Sequence, residues 1–109
     1  MSKKITLLLS FVILVALLSF AVNGLSVLES GASASSTAAY AMVRTDAPAD
    51  LYARAFMASL TDTTNATDSG YKTKAEASVT ASQLYGKATN SLAFAYVGDY
   101  MVAWDQWPD

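Results

Sequence analysis

One stretch of the chain has no polar face at all. From Ile5 to Val22 it reads ITLLLSFVILVALLSFAV, uncharged throughout and polar only at Thr6, Ser10 and Ser19. Backbone polar groups cannot stay unpaired in hydrocarbon, so such a run enters a bilayer as a helix. At ~1.5 Å per residue it reaches about 27 Å, against a hydrocarbon core of ~30 Å. Carried across Asn23 and Gly24 to Leu28, it becomes long enough to cross. Residues 1–29 are therefore predicted as an N-terminal signal-anchor or transmembrane helix, in contact with membrane lipid over residues 5–28. Lys3 and Lys4 precede the run and no further basic residue comes before Arg44. The positive-inside rule then puts the N-terminus in the cytoplasm and the C-terminal domain outside it. A second reading stays open. Ser19-Phe20-Ala21 has the small-x-small form of a signal-peptide site, and cleavage after Ala21 gives a secreted protein.

Beyond the run, residues 30–45 open with SGASASST and read as a small-residue linker or a short helix over about 34–44. Residues 46–109 read as a small helical domain. Thr45-Asp46-Ala47-Pro48 offers a capping side chain followed by a first-turn proline. The helix it starts, about 47–60, places Leu51, Tyr52, Ala55, Phe56, Ser59 and Leu60 on one stripe at helical spacing. A polar loop follows over 61–72. Thr73-Lys74-Ala75-Glu76 has the form of a capping box and opens a long helix, about 74–104, which Gly86 or Gly98 bends or breaks. Trp107-Pro108-Asp109 ends the chain in extended form. The predicted fold class is all-α: an N-terminal transmembrane (or signal) helix and a two- to three-helix exported domain.

Composition narrows the chemistry. The 109 residues include no cysteine and no histidine. That removes the usual zinc, haem and iron–sulfur ligand sets, and with them Ser-His-Asp and Cys-His catalysis. No cofactor, metal site or catalytic residue is expected. The net charge of −2 with scattered lysines gives no electrostatic footprint for nucleic acid. A domain this small buries only about 60% of the surface its unfolded chain exposes. Without disulfides its stability calls for partners, either other protein subunits or copies of itself.

The aromatic C-terminus is the most distinctive feature. Tyr96, Tyr100, Trp104 and Trp107 are the partner-contact candidates, because tyrosine and tryptophan dominate interface hot spots. Core packing of Phe94, Tyr96 and Trp104 against Leu51, Phe56 and Leu60 is the competing reading. Trp107, beyond the helix, is the one least expected in the core. Asn65-Ala66-Thr67 is a sequon that makes Asn65 a possible glycosylation site. Asp99 and Asp105 read as solvated surface carboxylates.

These features point to a non-enzymatic single-pass membrane protein, a structural or accessory subunit of a membrane-associated assembly. The alternative is a cleaved, secreted helical binding module that uses its aromatic C-terminus. An apolar N-terminal helix running into an Ala/Ser-rich segment also resembles the plan of pilin-like filament subunits over roughly the first 45 residues. That implies self-assembly into filaments. No glycine-ended basic leader precedes the run, and the C-terminal part reads as helical where such proteins carry a β domain.

Overall fold

The computed structural model describes residues 20–109, and over them the chain is built almost entirely of antiparallel strands. In chain order these are β1 (Phe20–Val22), β2 (Leu25–Ala34), β3 (Ala38–Ser59), β4 (Thr63–Thr80), β5 (Ala88–Val97) and β6 (Tyr100–Trp107). A single 3-10 turn, Ala81–Gln83, follows β4. All six strands belong to one sheet in the order β1-β2-β3-β5-β6, with β4 also paired to β3.

β3 is the spine. Its first half pairs with β2, from Ala39↔Ala34 to Thr45↔Val27, and its second half with β5, from Leu51↔Val97 to Ser59↔Ala88. β4 runs along both halves. The sheet curls into a half-barrel, which brings the end of β2 against β5 and β6. There the Ala34 amide donates to the Asp105 carboxylate at 2.8 Å, and the Ser91 hydroxyl donates to the Ser35 carbonyl at 2.8 Å.

The curl has a corner. Between the pairs Arg44↔Lys74 and Ala49↔Lys72, β3 advances five residues while β4 advances two, so β3 carries three extra residues. Thr45 Oγ1 donates to the Ala47 carbonyl at 2.8 Å, and Asp46 accepts the Ser26 amide at 2.9 Å. Pro48 lies in this bulge, where the ladder asks nothing of the missing amide. Across the corner, on β4, the Asp68 carboxylate pairs with Lys72 and accepts the Glu76 amide at 3.0 Å. The Lys72 hydrogen bond, and then the Glu76 amide, hold the Asp68 carboxyl below its ordinary pKa.

A folded-state pKa below the unfolded value stabilises the fold above the ordinary carboxylate range, and that stability is lost as pH falls through the lowered value. For this part-exposed contact, Asp68→Asn is expected to cost about 0.5–1 kcal/mol at neutral pH. The difference from the parent should vanish in acid, as urea midpoints at the two pH values would measure.

The core follows a period of two. Ala41, Val43, Leu51, Ala53, Ala55 and Met57 of β3 are buried, as are Ala93, Ala95 and Val97 of β5 and Ala75, Ala77 and Val79 of β4. Between them, Tyr52, Arg54 and Phe56 on β3 and Leu92, Phe94 and Tyr96 on β5 point outward and are half-buried. Through the middle of β3 and β5 size alternates as well: Ala53, Ala55, Ala93 and Ala95 face in, while the aromatic side chains and Arg54 face out. Small inward side chains allow the tightly curled sheet to close on itself.

This arrangement corrects the all-α expectation. The helices expected over about 34–44, 47–60 and 74–104 are strands, as is most of the loop expected over 61–72. The stripe Leu51, Tyr52, Ala55, Phe56 divides between the two faces of β3. Alanine fits a helical and a strand pattern equally, and its high helix propensity is overridden by cross-strand packing. The capping box at Thr73–Glu76 is a piece of β4, where Glu76 pairs with Lys74 at 2.8 Å.

The N-terminal helix is corrected from Phe20 onward. Residues 20–28, to which it was expected to extend, form β1 and the start of β2. Asn23 (φ 53°) and Gly24 (φ 80°) make the two-residue turn between them, the type I′ hairpin geometry. Residues 5–19 lie outside the described residues. Among the described residues no helix is long and apolar enough to cross a membrane. The single-pass anchor, the orientation drawn from it, and the version with cleavage after Ala21 therefore lack support. Residues 29 and 45 fall within β2 and β3.

Candidate functional site

The two outer faces of the curled sheet are treated differently. On the half built from β2, the start of β3 and the end of β4, Met42 points outward yet is only 6% exposed. Its cross-strand neighbours are Gly31 and Glu76, and the pairs on either side bring in Tyr40, Arg44, Glu29 and Lys74. Arg44 pairs with Glu29 at 3.4 Å and Lys74 with Glu76 at 2.8 Å. Burial, and secondarily Glu76, raises the pKa of the Tyr40 phenol. Charged side chains thus surround Met42 on this face.

The other outer face, formed by the end of β3 with β5 and β6, has no such cover among the described residues. The register aligns three cross-strand rows: Tyr52–Tyr96–Met101, Arg54–Phe94–Trp104 and Phe56–Leu92–Gln106. Phe94 stacks on Tyr52, with centroids 5.9 Å apart and planes at 28°. It also meets Tyr96 edge-on at 5.8 Å. The rings therefore hold one another in place, as aromatic pairs at these separations do. Trp104 is 55% exposed and Met101 43%. Arg54 is the one charged side chain in the three rows. Its guanidinium lies 5.8 Å from the Phe56 ring centroid, and its Nε is buried without a hydrogen-bond partner. A buried donor left unpaired costs about 1–3 kcal/mol, which marks this spot as unfinished in the isolated chain.

Of the residues singled out from sequence, Tyr96 and Trp104 lie on this face. Tyr100 lies at its edge, where the Gly98-Asp99 turn enters β6. Trp107 is half-buried and packs against the core, opposite Ser91. Asp105 is also internal, 7% exposed, and not the surface carboxylate its position suggested. Asn65 is exposed on β4, opposite Phe56, in a strand instead of a loop. Phe94, part of the same C-terminal aromatic cluster, lies between Tyr96 and Trp104, while Tyr52, Arg54 and Phe56 were not legible as members of the face. Those three lie some forty residues away along the chain and only strand pairing unites them.

No protein-family model, curated protein or solved structure matches this chain. The site therefore stands on its own geometry. Among the described residues no cluster of three or more histidine, cysteine, aspartate or glutamate side chains is placed to hold a metal. An open cleft of about 360 Å³ lies at the tip beyond Phe56 and Leu92, lined by Ser59–Thr61 and Gly86–Thr89. Ser59 Oγ, in its lining, donates to the Tyr85 carbonyl at 2.7 Å. Lys87 is the one titratable side chain among the lining residues.

Proposed function

We propose that the chain is a non-enzymatic assembly subunit that docks onto a protein surface through the aromatic face of β3, β5 and β6. The observation that carries this is the contrast between the two outer faces. Where the sheet needs only to meet water it is laced with ion pairs, and where it is aromatic it carries a lone arginine with an unpaired buried nitrogen. Tryptophan, tyrosine and arginine are the residues enriched at binding hot spots, and contiguous apolar faces of this kind mark interaction sites. Burial of Trp104 by a partner removes exposed apolar surface, and a carboxylate or π face on the partner completes the environment of Arg54.

The test is native electrophoresis of the protein recovered from its cells. The parent should migrate in an assembly larger than one chain. Trp104→Ala should shift it toward the single chain by weakening the contact at least tenfold, which is about 1.4 kcal/mol. Tyr85→Ala, at an 85% exposed residue of the loop before β5 and outside the three rows, should leave migration unchanged. Equal migration of all three proteins would refute the reading.

A further inference from the structure

The composition and register of the aromatic face also indicate what covers it. The middle row runs Arg54 on β3, Phe94 on β5 and Trp104 on β6, so the cation and the most exposed indole stand at opposite ends of one line with a ring between. We propose, resting on the docking role of this face, that its occupant is a second copy of the same chain, related by a two-fold axis that runs along β5. This operation exchanges the two ends of every row. It lays Arg54 of each copy on Trp104 of the other, and sets Phe94 against Phe94, Tyr96 against Tyr96 and Leu92 against Leu92.

Three considerations select this arrangement. The first is charge complementarity. Indole is the best aromatic acceptor of a guanidinium, and a desolvated Arg–Trp contact is the strong form of that interaction. The alternative in-plane two-fold, perpendicular to the strands, would bring Arg54 onto Arg54 and is repulsive. The second is the middle of the row. Apart from Arg54 the three rows carry no charge, so the centre of a self-paired face is aromatic and aliphatic with no like-charge conflict. The charged outer face around Met42 could not pair with itself in that way. The third is packing geometry. Two sheets stack face to face ~10 Å apart and within about 30° of alignment, which keeps the central positions in register.

Area sets the strength. Three strands spaced ~4.8 Å and three outward rows ~7 Å apart make a patch of roughly 300–400 Å² on each copy. The total stays below the ~1,200 Å² of a standard specific interface. The dimer is therefore concentration-dependent, and it is the Arg54–Trp104 contacts, made twice, that decide whether it forms.

Sedimentation of the full chain from about 1 μM to about 1 mM tests this. The parent should pass from monomer to dimer, while Arg54→Ala and Trp104→Ala should each raise the dissociation constant at least tenfold and retain the parent's circular dichroism. An equimolar mixture of the two variants supplies the decisive arm. A heterodimer keeps one Arg54–Trp104 contact where either variant alone keeps none, so the mixture should dimerise more strongly than both. A mixture no stronger than its components, or a dimer indifferent to both substitutions, overturns the proposal. A parent that stays monomeric while Trp104→Ala still leaves the native assembly overturns the second copy as occupant and keeps the docking face. An assembly indifferent to Trp104 removes both.

Discussion

Leu51→Ala is expected to destabilise the fold by about 2–5 kcal/mol, the cost of deleting a large buried aliphatic side chain and leaving a cavity. Leu51 is 1% exposed and stands where the chain resumes regular pairing after the β3 corner, between Val97 on β5 and Gly70 on β4. Most of its neighbours facing inward are alanines, which cannot lean in to fill the space. Domains as a class are stable by only about 5–15 kcal/mol, so this one substitution removes a large share. Leu60, 92% exposed in the β3–β4 turn, is the matched control, and Leu60→Ala should change stability by less than about 0.5 kcal/mol. Urea denaturation of the two variants measures the difference. A helical reading, with Leu51 and Leu60 on one stripe, expects similar costs for both.

The second large effect comes from the opposite change. Ala95 is fully buried and lies across from Ala53 on β3 and Ala103 on β6. Ala95→Leu should cost about 1–3 kcal/mol through overpacking, because the inward side of the curled sheet has no room for three more carbons. Ala103→Leu, at the next strand and only half-buried, should cost less. Denaturant midpoints at unchanged slope would show that the loss is one of stability and not of the folded state's compactness.

The alternation of size explains what the sequence concealed. In LYARAFMA and LAFAYV both phases of the period-two pattern are apolar except at Arg54, because alanine with Leu51, Met57 and Val97 occupies the inward phase and mostly aromatics the outward one. A search for polar against apolar positions finds no alternation there, and alanine's helix propensity fills the vacuum. The usable signal was the aromatic content of one phase against the alanine of the other. Two turn signals were also legible. Asn23-Gly24 is the dipeptide of a type I′ hairpin, and Gly98-Asp99, with Gly98 at φ 57°, has glycine first as a II′ turn requires. The first interrupts an apolar run that reads as a helix, and the second bends or breaks one. Flanked by apolar runs, either one pointed to a sheet.

The candidate site was legible in part. Trp104 and Tyr96 stood out by residue type alone, since exposed aromatic clusters are rare enough to be informative. Trp107 misled because it lies beyond the expected helix, and Asp105 because a helical offset from Asp99 reads as a solvated carboxylate, whereas β6 carries both back against the core. The partners of Trp104, above all Arg54, were beyond reach of sequence spacing. Long-range register, of β3 against β5 and of β5 against β6, is what places them in one row. The polar stretch TDTTNATDSGYK looked like a loop because β4 pairs with β3 alone. An edge strand facing water needs little apolar content, and charged side chains at such an edge discourage unwanted pairing.

The most direct measurement of the docking face is hydroxyl-radical footprinting of the native assembly, with the same protein dissociated by dilution as reference. Trp104, Met101 and Tyr96 should be protected in the assembly and oxidised once it dissociates, while Tyr85 should be oxidised equally in both. Equal oxidation of Trp104 in the two states, or protection centred on Tyr85, would contradict the assignment of the aromatic face as the surface through which this protein assembles.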